Sequence, residues 1–234
     1  MIEPRKGNPK PRLIRDKSNN ELINSLSFPS EGSKAILKRL NSNSAPKERL
    51  IISVSGKSEE EIIENILLFE SYCFALEINI SSPNTSDLKK FVNEKSIFSI
   101  LNKSRKVTKM PIFIKLPRID EINYYEELIR PIKKFLDVGV VLSNTLPIDD
   151  KRLKVGKGGK SGASLFESTL KILRYVRKSH PEIVIMCSGG ISTSEQARIL
   201  LNEGANALQI YTSLVYKGPG LIKELNNGLL NLSL

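Results

Sequence analysis

The stretch ALEINISSPNT, residues 75–85, decides the fold. Residues 75–80 alternate apolar side chains with Glu77 and Asn79, the pattern of a strand with one side facing something polar. Ser81, Ser82, Pro83, Asn84 and Thr85 follow, so hydroxyls and an amide stand just past the strand end, where Pro83 fixes the backbone. In a parallel α/β sheet or barrel, ligands bind at the C-terminal ends of the strands. The stretch therefore predicts a site of amides and hydroxyls with no metal ligand. Taken alone, it also fits a strand followed by an ordinary Ser/Pro/Asn turn.

Working outward, an alternation sets in on both sides. Residues 50–54 read as a strand, followed by a capping box of Ser58 with Glu61 and a helix carrying Ile62, Ile63, Ile66 and Leu67 at helical spacing. After residues 75–80 come a helix over 94–106, a strand over 111–116 and a helical segment over 120–136. A strand at 139–143 ends in Asn144-Thr145. A glycine-rich loop at 156–162 (GKGGKSG) leads to a second capping box, Ser164 with Glu167, and a helix to about residue 179. A strand at 183–187 precedes Ser188-Gly189-Gly190. A third capping box, Ser192 with Glu195, opens a helix that stops near Gly204. The last strand is 207–211, and a helix starts near Gly220. Upstream, residues 1–17 hold three prolines without a period and read as an extended arm. A short helical pattern runs from 32 to 40, and 41–47 is polar linker.

Six strands alternating with helices imply a parallel sheet with helices outside it. A closed (β/α)8 TIM barrel needs eight strands, so the first two would be missing and would precede Met1. An open doubly wound sheet is the competing fold. With 234 residues and 40% hydrophobic content, the chain can build one barrel-sized domain or two small ones. A net charge of +11 permits nucleic acid, an anionic membrane or acidic small molecules as partners, although spread-out surface lysine explains it as well. Two cysteines make no disulfide framework and suit a reducing compartment. Residues 1–17 lack the apolar core of a secretory signal. A single histidine, His180 before Pro181, argues against imidazole catalysis and His-based metal binding.

Lys115 stands inside an apolar strand, where a lysine is uncommon unless paired or functional. It reads as a fixed positive charge beside an anion or an electron-rich ring. The glycines at 158–162 and the pair Gly189-Gly190 precede capped helices, and late loops of a barrel commonly hold phosphate. With no Walker or GxGxxG fingerprint, a mononucleotide-like phosphate is the better match. Cys187 has no histidine to activate it and reads as a small buried residue; Cys73 reads as helix-end core.

Together these residues resemble the dihydroorotate dehydrogenases, and within them the quinone-linked class 2 branch. The match includes GNPKPRLIR (7–15), NISSPNT (79–85), the lysine of IKLP (114–117), SNT (143–145), GGKSG (158–162), SGGIST (188–193) and LQIYTSLVYKGPGL (208–221). The resemblance implies an FMN-binding (β/α)8 barrel over residues 1–234 that oxidises dihydroorotate to orotate in pyrimidine biosynthesis and passes electrons to quinone. Ser82 would be the general base at C5 of dihydroorotate, while the flavin takes hydride from C6; class 1 relatives carry cysteine there. Asn79, Asn84, Asn144 and Thr145 would bind the pyrimidine and its carboxylate, and Asn24, Ser25, Leu26, Ser27 and Phe28 match the substrate-contacting segment. Lys115 would stabilise the reduced flavin. Ser53, Asn79, Ser143, Gly162, Gly190, Tyr211 and Thr212 would hold FMN, with Gly162, Gly190, Tyr211 and Thr212 near its phosphate. The implied location is cytoplasmic, with peripheral contact at the inner face of the membrane through an N-terminal part, and no nucleic acid.

This sequence departs from the family pattern in places. The segment at Asn24 usually reads Asn-Arg-Met-Gly-Phe; here Ser25, Leu26 and Ser27 differ. The loop after Thr85 usually continues Pro-Gly-Leu-Arg; here it is Ser86-Asp87-Leu88-Lys89. Ser53 stands where an FMN-contacting asparagine is usual. The chain starts where the family's second barrel strand has ended, which predicts an N-terminally truncated gene product or gene model with two exposed barrel edges. The part expected upstream would carry an Ala-Gly flavin loop, a substrate-binding lysine and the helices of the quinone tunnel. Three rival readings stay open: a flavin barrel acting on another pyrimidine, a non-catalytic barrel fragment, and an RNA-binding relative of the dihydrouridine synthases, which carry cysteine at the Ser82 position.

Overall fold

The computed structural model describes residues 1–42, 46–81 and 86–230. Its centre is a parallel sheet of six strands: β3 (Ile51–Val54), β4 (Ala75–Asn79), β5 (Ile112–Lys115), β6 (Val138–Leu142), β9 (Ile185–Ser188) and β10 (Ala207–Gln209). Their spatial order is β10-β9-β6-β5-β4-β3, and every neighbouring pair is parallel. The helices α2 (Glu59–Phe69), α3 (Glu94–Val107), α4 (Tyr124–Ile129), α5 (Phe166–Ser179) and α6 (Ser194–Asn202) follow successive strands.

Strand periodicity sorts the side chains. Leu76 and Ile78, Ile112 and Ile114, Val140 and Leu142, and Ile185 and Cys187 are buried in one apolar cluster with Ile62, Ile66, Ile97, Leu101, Leu173 and Leu200 of the helices. The intervening positions carry Ser53, Glu77, Asn79, Lys115 and Gln209, which face the other side of the sheet. That inner side closes on itself. Gln209 Nε2 on β10 donates to Glu77 Oε2 on β4 at 2.9 Å, although three strands separate them. A flat sheet would hold strands four places apart at about 19 Å, beyond the reach of these side chains. The sheet is therefore curled, a partial (β/α)8 barrel and not an open doubly wound sheet.

A second, antiparallel sheet contains β1 (Leu13–Asp16), β2 (Glu21–Asn24), β7 (Leu146–Asp149) and β8 (Lys157–Gly162), in the order β1-β2-β8-β7. Two sequence expectations give way here. The arm at 1–17 contains β1, and Arg5 bridges Ser30. The glycine-rich segment 156–162 is mostly strand, paired on both edges. Gly158 and Gly162 serve close strand approach: at Gly162 (φ +128°) an added Cβ would lie 2.4 Å from the Asn20 carbonyl.

The helix signals fall where expected, with local shifts. α1 spans Ser33–Ser42. Ser58 Oγ accepts from Glu61 N at 3.2 Å, but the Glu61 carboxylate takes the Lys57 and Ile2 amides instead of returning to Ser58. At α6 the box sits one residue later: Thr193 caps Gln196, and Gln196 Oε1 accepts from Ser192 N. Ser164 caps nothing, and α5 starts without a side-chain cap. The predicted helix over 120–136 is only α4 plus a turn at Ile132–Lys134, because Pro131 lacks the amide that continuation requires. α7 (Thr212–Lys217), absent from the sequence reading, precedes α8 (Gly220–Leu230). Among the described residues no helix is long and apolar enough to cross a membrane.

Candidate functional site

The C-terminal ends of β4, β5, β6, β9 and β10 open into a cleft of about 1110 Å³, roofed by the second sheet. Of the expected site residues, Asn24, Leu26, Ser27, Phe28, Asn79, Lys115, Ser143, Asn144, Thr145, Gly162, Gly190, Tyr211 and Thr212 line it. Ser25 and Ser53 do not. Ser25 is fully buried behind the segment, and Ser53, exposed on the edge strand β3, donates from Oγ to Glu77 Oε1 at 2.7 Å. Ser82 and Asn84 lie outside the described residues.

Each wall follows from its strand. Asn79 and Lys115 are register partners at the ends of β4 and β5, so an amide and an ammonium stand side by side. Lys115 does not reach away to solvent: Nζ donates to Gln209 Oε1 at 3.1 Å and lies 3.5 Å from Glu77 Oε2. Above it runs a chain of polar contacts. Asn144 Nδ2 donates to Ser81 Oγ at 2.9 Å, and Ser81 Oγ donates to Asn79 Oδ1 at 3.0 Å. Asn144 Oδ1 accepts from Thr145 N at 2.8 Å, which fixes which end of its amide faces Ser81.

Buried Arg118 sets the position of this chain. It donates to the Asn144 carbonyl (3.2 Å), Ser168 Oγ (2.6 Å) and Thr169 Oγ1 (2.9 Å), tying the loops after β5 and β6 to the start of α5. Burial pulls its guanidinium below the ordinary value. Tyr125 Oη donates to the Pro117 carbonyl from α4 at 2.8 Å, holding the same loop.

At the other end, Gly162, Gly189, Gly190 and the start of α7 converge. Gly189 and Gly190 have φ of +127° and +80°, and a Cβ at Gly190 would lie 2.2 Å from Phe166 N. The N-terminus of α7 has no side-chain cap, and Thr212 Oγ1 donates to Ser161 Oγ at 2.9 Å. Glycine backbone and an uncapped helix start are the donors that suit an anion such as phosphate. The outer rim mixes apolar Leu13, Leu22 and Val215 with Arg15, whose guanidinium stacks 4.5 Å over Tyr216. The cleft thus brings together glycine backbone with an uncapped helix start, a cation on its floor and an amide cluster, a donor set whose chemistry fits a flavin mononucleotide beside a small polar ring.

The cysteines take no part. Cys187 is fully buried and its thiol is pushed up to about 12, and burial also raises Cys73. The sequence reading gave no role to Glu77, Arg118, Ser161 or Gln209, and counted Ser81 only among the hydroxyls past the strand end. The available signal for three of them was a polar or charged residue in, or directly after, an apolar strand, the same signal that singled out Lys115.

Residues 1–232 match the family model described as dihydroorotate dehydrogenase. A dihydroorotate dehydrogenase (quinone) of a Nitratiruptor species is 33% identical over 97% of this chain and 68% of its own length. One from a Sulfurovum species is 31% identical over 98% of this chain and 68% of its own. Among solved structures, the ligand-free dihydroorotate dehydrogenase of Eimeria tenella superimposes with a TM-score of 0.87 at 25% identity, covering 99% of this chain and 75% of that one. The complex of the same organism's enzyme with ferulenol gives 0.86 at 24% identity and supports the fold. The chain belongs to the dihydroorotate dehydrogenase family of oxidoreductases.

Proposed function

We propose that this protein binds FMN in the barrel cleft and oxidises dihydroorotate to orotate, a step of pyrimidine biosynthesis, with quinone as the electron acceptor. The observation that carries the reading is Lys115 on the cleft floor, between the Asn79–Ser81–Asn144 amide chain and the Gly162–Gly190–Thr212 cradle. At about 1110 Å³ the cleft exceeds the few hundred to about 1,000 Å³ of a typical single-ligand pocket, leaving space for cofactor and substrate together. FMN, when bound, would supply two-electron redox chemistry between dihydroorotate and quinone.

The chain's own residues divide the remaining work. Asn79, Asn144 and Thr145 bind the pyrimidine, whose imide edge alternates donors and acceptors as amides do. Ser82, in the family's general-base position, takes the proton from C5 as the C5–C6 double bond forms. A hydroxyl is a weak base, so that proton passes on along water or a neighbouring hydroxyl. Lys115 places a cation where negative charge grows on the cofactor. Gly162, Gly190, Tyr211 and Thr212 hold the phosphate, and the apolar rim with Arg15 suits an apolar acceptor with a polar head.

The test is the visible absorption spectrum of the purified chain, before and after dihydroorotate is added without oxygen. A flavin spectrum that bleaches, and bleaches more slowly in Ser82→Ala, is the expected result. A chain that takes up no FMN refutes the proposal. Bleaching by other dihydropyrimidines but not by dihydroorotate would move the assignment to another substrate.

A further inference from the structure

We infer that Glu77 is the counter-charge that positions Lys115 and sets how much of its positive charge the cleft feels. The inference rests on the FMN reading above and concerns residues that lie behind the cleft.

Four strands contribute one side chain each to a polar layer that runs from the exposed edge strand β3 across the concave side of the sheet. Ser53 comes from β3, Glu77 from β4, Lys115 from β5 and Gln209 from β10. The Glu77 carboxylate accepts from Ser53 Oγ at 2.7 Å and from Gln209 Nε2 at 2.9 Å, and stands 3.5 Å from Lys115 Nζ. Gln209 turns its carbonyl to Lys115 at 3.1 Å. Only that orientation of the amide satisfies both neighbours, since an ammonium cannot accept and a carboxylate cannot donate. Glu77 and Lys115 therefore act on each other directly and through Gln209.

The layer is one-sided. Lys115, Gln209 and Asn79 line the cleft, while Glu77 and Ser53 do not. The Glu77 side chain is 5% exposed and that of Lys115 is 18% exposed. A carboxylate buried this deeply is costly unless donors surround it. Three do, and they fix the carboxylate directly behind the Lys115 ammonium on the floor. A bound cofactor then meets a fixed dipole and not a bare positive charge. Such a pair holds the ammonium in place and limits how strongly it favours an electron-rich ring.

The consequence is a reduction potential set below what Lys115 alone would give. Glu77→Gln keeps the shape and removes the charge. It should raise the two-electron midpoint of the bound FMN by at least about 30 mV, equivalent to tenfold in the ratio of reduced to oxidised FMN affinity. Glu77→Asp, which keeps the charge, should shift it far less. The midpoint is read by equilibration with a reference dye on the flavin-loaded full chain. A purely structural role would change the melting temperature of both variants and leave the midpoint in place. Should Glu77→Gln fail to fold, the comparison is Glu77→Asp against Glu77→Asn, side chains of one size with and without the charge, in which the uncharged variant should again have the higher midpoint. A flavin-loaded Glu77→Gln protein with an unchanged or lowered midpoint overturns the inference, as does no upward step in the paired comparison. Absence of FMN from the wild-type chain is a separate readout; it defeats the proposed function and the inference falls with it.

Discussion

Gly190→Ala tests the site with a single added carbon. The backbone there has φ +80°, and the new Cβ would lie 2.2 Å from Phe166 N and 2.6 Å from Phe166 Cα. Both are backbone atoms at the first residue of α5, so no side chain can swing aside. Ordinary contact begins at 3.4 Å, so the loop and the helix start must part by more than about 1 Å. Overpacking of this kind costs about 1–3 kcal/mol. The left-handed backbone adds about 1–2 kcal/mol for any L residue. Alanine's smaller unfolded-state entropy offsets about 0.4–1 kcal/mol. The net is a destabilisation centred on about 3 kcal/mol, or a melting temperature lower by about 6–12 °C for a chain of this size. Gly218→Ala is the internal control. Its φ is +76° and its ψ −179°, an extended conformation nearly confined to glycine that costs another residue about 1–3 kcal/mol, but nothing lies within 4 Å of the built Cβ. After the entropy offset of about 0.4–1 kcal/mol the net is centred on about 1.3 kcal/mol, a loss of about 3–5 °C. The assay is thermal melting of both variants, with and without added FMN. The rise in melting temperature on FMN addition should vanish in Gly190→Ala and survive in Gly218→Ala. Equal losses in the two variants would refute the contact, and an undiminished FMN response in Gly190→Ala would refute the cradle.

Three further outcomes follow from the same geometry. Ser27 has φ +57° where the family segment carries glycine, so Ser27→Gly should leave the melting temperature within about 3 °C, while β-branched Ser27→Val should lower it clearly more; a glycine variant as damaged as the valine one contradicts this. Cys73 and Cys187 are fully buried and both thiols are raised, Cys187 to about 12; neither should react with a chromogenic disulfide at pH 8 until the chain unfolds, and prompt labelling of the folded protein would count against that environment. Burial disfavours the imidazolium of His180, against a smaller opposing pull from Glu126 at 3.1 Å, and its value is lowered from 6.5. Between that lowered value and 6.5 the unfolded chain binds the extra proton. Stability is therefore complete above about pH 6.5 and declines as the pH falls below it, and His180→Gln should flatten this part of the profile. An unchanged slope in the variant would show that His180 does not contribute.

The barrel was legible because its outer face obeys strand and helix periods. Leu76, Ile78, Ile112 and Ile114 point at helices whose Ile62, Ile66, Ile97 and Leu101 recur at helical spacing, and each rule constrains the other. The second sheet was not legible, for a physical reason. Its strands are short, and β8 is KGGKSG, where glycine normally signals a loop. There the glycines admit a neighbouring backbone, at Gly162 the Asn20 carbonyl, and nothing in a single sequence distinguishes that use from a turn. The cleft residues were legible in proportion to their isolation. A lysine within IFIKL stands out, whereas Glu77 beside Asn79 reads as one polar face without revealing which residue lines the cavity. Ser53 shows the limit: its position in the motif suggests a ligand contact, but its hydroxyl is taken by Glu77.

The Glu77–Lys115 pair and buried Arg118 carry different roles because their partners differ. Glu77 and Lys115 neutralise each other across the interior, and through Gln209 the pair connects β10 with β4 and β5 where the sheet has no backbone ladder between its terminal strands. Loss of one member leaves the other buried and unpaired, so this layer couples the curvature of the barrel to the charge on the cleft floor. Arg118 has no carboxylate partner among the described residues; it is held by a carbonyl and two hydroxyls. Neutral acceptors do not cancel its charge, and its desolvation is offset only by hydrogen bonds. What that arrangement secures is geometric: one rigid fork fixes Asn144 relative to α5, whose first residue abuts Gly190. The amide cluster and the glycine turn at Gly189-Gly190, both set against Arg118, are thereby held at one separation. A fixed separation is what positioning a ring between them requires.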